Sequence, residues 1–188
     1  MRLLRILLHF VGLFWLCWQG MQVVHEMGHV LGAFLTGGTV STLDLHPLRI
    51  SRTDVSPNPH PLVVIWMGPL WGVLAPLALW GVVRRVGSSW NRHFQFFAGF
   101  CLIANGAYRG SAVLEPVGDA ADLLQHGAGA WQLLLFAAIT VPAGLLLWDH
   151  SRGALGIGRQ AASISTSRIV VVWGILLLLL VILAMSSK

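Results

Sequence analysis

Residues His25, Glu26, Met27, Gly28 and His29 form an HExxH stretch inside a long apolar run. On an α-helix, side chains four apart share a face, so His25 and His29 are placed to offer two imidazoles to one metal ion. Glu26 stands one position further on. It is too far round the helix to join that pair as a ligand, but it is within reach of a water the metal holds. Two ligands and a base in this order match zinc hydrolysis, in which a bound water is acidified to a pKa of about 7 and a carboxylate takes its proton. The bland alternative is two histidines and a glutamate satisfied by hydrogen bonds in a helix bundle. It is weakened by the setting, because ionisable groups within membrane segments are rarely idle.

A catalytic zinc site needs a third protein ligand and an open position for water. Glu115, Asp119 and Asp122 are the carboxylates between the third and fourth apolar runs, whereas Asp44, Asp54 and Asp149 fall in loops or at a run's end. Asp119 follows Pro116 and Gly118, a helix breaker and a residue that lets backbone approach closely, so it is the expected third ligand. Asp122, one turn on, is the alternative: a ligand, a hydrogen-bond partner of a ligand histidine, or a solvated charge near a helix N-terminus. One zinc ion per chain is expected. His46 and His60 have no neighbour at ligand spacing and read as loop histidines.

These residues must be held by membrane elements. Of the 188 residues, 56% are hydrophobic and 10% charged, and the mean hydropathy is +0.75, which excludes a soluble globular chain. Apolar runs at about 3–35, 62–83, 94–108, 131–148 and 169–185 predict an all-α polytopic membrane protein with about five transmembrane helices. The first run is too long for one perpendicular span, so it must tilt, project or break, with Gln19, Gly20 and Gln22 marking a plausible bend before Gly37-Gly38 stops it. Arg2 and Arg5 ahead of it resemble a signal peptide, but no small-x-small cleavage site precedes HExxH, so the helix is expected to be retained. Residues 39–61 interrupt the pattern. Apolar alternation before and after Pro47 predicts two short strands, 39–45 and 48–52, and Pro57, Pro59 and Pro61 form a stiff exit.

Gly68-Pro69 and Pro76 should kink the second run and border a wet cavity. Residues 153–167 read as a small-residue linker. The chain is thus expected to be one membrane-embedded domain over 1–188, with a catalytic core at about 3–127 and accessory helices at about 131–186. The high pI, about 10.6, does not imply nucleic acid, since the arginines sit at the ends of apolar runs and form no basic stripe. Cys17 and Cys101 lie within apolar segments and read as small buried hydrophobes. Five spans with a cytoplasmic N-terminus put Arg2, Arg5, Arg84, Arg85, Arg92, Arg152, Arg159 and Arg168 inside, against Arg49, Arg52, Arg109 and Lys188 outside.

Over roughly residues 20–125 the chain resembles the site-2 protease group of intramembrane zinc metalloproteases. The likeness is carried by His25-Glu26-Met27-Gly28-His29, by Gly37-Gly38 with the β-like insert, by Met67-Gly68-Pro69-Leu70-Trp71-Gly72, and by Asn105 with the later Pro116-Val117-Gly118-Asp119. The resemblance implies Asp119 as the aspartate ligand and Asn105 as a substrate-holding residue. Where that family has Asp-Gly this chain has Asp119-Ala120, and no PDZ-like or CBS-like domain is present. The family commonly opens its site toward the cytosol, opposite to the arginine count.

The expected activity is therefore hydrolysis of peptide bonds in membrane-associated proteins or peptides. Glu26 would be the general base, and His25, His29 and Asp119 the zinc ligands. Two rivals remain from other classes. A membrane di-iron oxidase or desaturase could use His25 and His29 as an HxxxH pair, but it needs further clusters, and His9, His46, His60, His93, His126 and His150 are scattered singly. A non-enzymatic metal-binding membrane protein could use the same histidines. Oligomeric state is not legible in the sequence.

Overall fold

A computed structural model describes residues 2–156 and 164–186. The HExxH helix α1, Arg2–Thr36, is one unbroken rod of 35 residues, about 52 Å by the rise of an ideal helix. The helix assignment is continuous through Gln19–Gly20, so the first run does not break there. Polar side chains there are used against a neighbouring loop, and the helix keeps its own backbone hydrogen bonds. Gly37 ends it in the left-handed region (φ 75°), and the Gly38 N–H closes the last turn on the Ala33 carbonyl at 2.8 Å.

Two antiparallel strands follow, β1 (Val40–Asp44) and β2 (Arg52–Val55), with Leu43 opposite Thr53 and an irregularity between Val40 and Thr42. The first strand lies where the alternation predicts it. The second begins only at Arg52, because residues 45–51 form a loop committed to other partners. The Asp44 carboxylate accepts from the His46 N–H at 3.0 Å, and the Pro47 carbonyl and Ser51 N–H are both taken by side chains of α1. On the strand's exposed side, the hydrogen bond from Arg52 holds the Asp54 carboxyl below the usual carboxylate range.

Helix α2, Pro61–Arg85, starts with proline at its first position, where the missing N–H costs nothing, and runs through Pro69 and Pro76. Helix α3 spans Asn91–Ser111, the short helix α4 Gly118–Gln125, and α5 Ala130–Ser151, which continues into a 3-10 turn at Arg152–Leu155; α6 is Thr166–Ser186. Of the expected 153–167 linker, residues 153–155 belong to the 3-10 turn and 166–167 to α6, and residues 157–163 with Arg159 lie outside the described residues, as does Lys188.

Four helices, α1, α2, α5 with its 3-10 extension, and α6, are long and apolar enough to cross a membrane. The expected third span is a helix of similar length, but Gln95, Asn105 and Arg109 lower its hydropathy, and it is packed between α2 and α5. Helix α1 lies against α2, α3 and α6. One core joins Leu13 and Cys17 of α1 to Phe96 and Phe100 of α3 and Val172 of α6. A second gathers Ala112, Ala120, Leu123 and Leu133 beneath α4. The second core seats α4 and so fixes where Asp119 points. The protein is a membrane-embedded, multi-pass helical bundle with one small hairpin.

Candidate metal centre

The i, i+4 spacing on α1 brings the Nε2 atoms of His25 and His29 to 3.1 Å from each other. Helix α4 delivers Asp119, whose Oδ2 lies 2.9 Å from His25 Nε2 and 3.2 Å from His29 Nε2. Among the described residues these three make up the one cluster of metal-capable side chains. Asp122, a turn further along α4, is exposed and stands outside it.

The other ring nitrogens bear on what the cluster could hold. His29 Nδ1 is 2.9 Å from the Val64 carbonyl, which can only accept, so Nδ1 carries the proton. Asn105 donates from Nδ2 to the Cys101 carbonyl at 2.9 Å, which turns its Oδ1 to His25 Nδ1 at 2.7 Å and makes that nitrogen a donor too. In their neutral forms the two imidazoles, each with its proton on Nδ1, present Nε2 lone pairs to one another and to a carboxylate oxygen. Groups converging at 2.9–3.2 Å in this way call for a proton or a metal cation among them. A tetrahedral ion bound at roughly 2.0–2.1 Å spaces its ligand atoms about 3.3 Å apart, so the donor set fits one with small adjustment. Histidines whose far nitrogens donate to oxygen are the usual arrangement around such an ion.

Asn105, singled out for substrate, thus has both ends of its amide engaged beside His25. Arg109, which sequence reasoning treated only as a loop charge, is fully buried and donates from Nη2 to Asp119 Oδ2 at 2.8 Å. Burial pushes the Asp119 pKa up. The charge of Arg109 opposes it and favours the ionised carboxylate.

Space for the cluster comes from α2. A Cβ added at Gly68 would lie 2.9 Å from His25 Nε2 and would overlap the His29 ring, and one at Gly28 would collide with the Met67 carbonyl. Glycine on both helices lets α1 and α2 approach where the histidines face α2.

Glu26 is buried (3% exposed). Its Oε1 accepts from the Ser51 hydroxyl at 2.7 Å and its Oε2 from the Thr53 hydroxyl at 2.6 Å. These two hydroxyls were not identified from the sequence, because what brings them to Glu26 is the hairpin folding back along α1. No protein-family profile matches the chain, and neither a curated protein nor a solved structure does.

Proposed function

We propose that this chain is an intramembrane zinc metalloendopeptidase, similar in kind to the site-2 proteases, that hydrolyses peptide bonds of membrane-associated proteins or peptides. The observation that carries the reading is the convergence of His25 Nε2, His29 Nε2 and Asp119 Oδ2, beside Glu26, on a helix long and apolar enough to span a membrane. His25, His29 and Asp119 would hold the ion. Zinc, when bound, acidifies a water and polarises a carbonyl.

The remaining work falls to the chain itself. Glu26 takes the proton of the attacking water and returns it to the leaving amine, so the carboxylate must enter each cycle ionised and aimed at the reacting atoms. Asn105 and the Val64 carbonyl fix the ring orientation of the two histidines. Arg109 keeps Asp119 ionised and turned toward them. A substrate helix must unwind locally, because an intact helix hides its carbonyls in its own hydrogen bonds.

Replacing Glu26 with Gln tests the reading. Zinc content, read by plasma emission on the purified protein, should persist while cleavage disappears, and retained cleavage would sink the mechanism. The same metal analysis separates the rivals: iron in place of zinc supports an oxidase, and zinc without turnover supports a binding protein.

A further inference from the structure

Residues Gln19, Gln22 and Glu26 lie at i, i+3 and i+7 on α1, one stripe of a single helix face. All three are buried, and all three are engaged by the same segment. Gln19 Nε2 donates to the Pro47 carbonyl at 2.9 Å, Gln22 Oε1 accepts from the Ser51 N–H at 2.9 Å, and Glu26 accepts from the Ser51 and Thr53 hydroxyls. The first two contacts are to backbone and anchor the loop at 45–51 whatever side chains it carries. The last two are side chain to side chain, and they are the hydrogen bonds that Glu26 makes among the described residues.

We infer that Ser51 and Thr53 are positioning residues for Glu26, so that the hairpin is part of the catalytic apparatus. Hydroxyls at 2.6–2.7 Å from a carboxylate are charge-assisted donors of the strong class. One hydroxyl on each oxygen fixes the side-chain torsions of Glu26, yet each oxygen keeps a second lone pair free for the attacking water. Ser51 and Thr53 are two apart and flank Arg52, so both point to the same side of the extended chain, and the exposed Arg52 points away. This inference rests on the hydrolase reading above.

The test pairs stability with kinetics. In a thermal double-mutant cycle on the zinc-loaded protein in detergent, Ser51→Ala/Thr53→Val should lower the unfolding midpoint by about 2–4 °C. It should cost nothing further in a Glu26→Ala background. Equal losses in both backgrounds would overturn the contact. With dye-labelled β-casein as probe, the double variant should lose about 10- to 100-fold in kcat, the range for outer partners of a functional group. KM should stay within about twofold, and zinc stoichiometry should be unchanged. The swapped variant Ser51→Thr/Thr53→Ser, which keeps both hydroxyls, should recover most of the loss.

An unmoved kcat, a swap as damaged as the double variant, or a loss confined to KM would each overturn the inference while leaving the hydrolase reading intact. No cleavage by the unaltered zinc-loaded protein, or cleavage surviving Glu26→Gln, would overturn that reading and this inference with it.

Discussion

Asp119 and Asp122 are separated by one helical turn, yet only Asp119 reaches the histidines. Asp119→Ala leaves two imidazoles and should lose most bound zinc, exceeding the roughly 10- to 100-fold weakening typical of outer-shell changes. Asp122→Ala alters an exposed side chain and should change zinc affinity by no more than about threefold. Equilibrium dialysis of both variants decides the assignment, and a larger loss from Asp122→Ala would transfer it. His25, Glu26 and His29 were legible because their spacing alone puts them together, and Asp119 because Pro116 and Gly118 announce an irregular approach. Arg109, Ser51 and Thr53 were not. Nothing local marks a side chain whose partner lies ten, twenty-five or twenty-seven residues away, and Arg109 looked like a charge at the end of an apolar run until its guanidinium proved to be buried against Asp119.

At the level of elements, the Gly68-Pro69 stretch acts through what it leaves out. Gly68→Ala would press a methyl group against both imidazoles, so the variant should bind zinc at least about tenfold more weakly while still folding, since α2 is otherwise a well-formed helix. Normal zinc affinity in this variant would mean that α1 and α2 separate easily there. Helix positions were readable from hydropathy alone because each long apolar run has one outcome in lipid. The hairpin's second strand was misplaced by about four residues. Alternation around Pro47 mimics a strand, whereas the loop's Pro47 carbonyl and Ser51 N–H are claimed by Gln19 and Gln22 across the fold. Competition of that kind cannot be read from a local window.

For the whole molecule, the centre joins helices α1 and α4 directly, with α2 and α3 supporting it, so an ion there should tie the bundle together. Saturating zinc at about 100 times its dissociation constant should add roughly 2.7 kcal/mol to stability. Thermal unfolding in detergent should therefore shift upward with zinc and fall back on chelation, and a midpoint indifferent to zinc would argue against ligation by all three groups. The length of α1 has a further consequence. His29 is seven residues from the helix end at Thr36, about 10 Å along the axis, in a rod that exceeds a hydrocarbon layer of about 30 Å. With Thr36 placed at the membrane face, as the hydrolase reading would have it, a file of three or four water molecules would span that distance. On the hydrolase reading the centre would be hydrated from that end through a shallow well, and the rest of α1, packed against α2, α3 and α6, would need no pore.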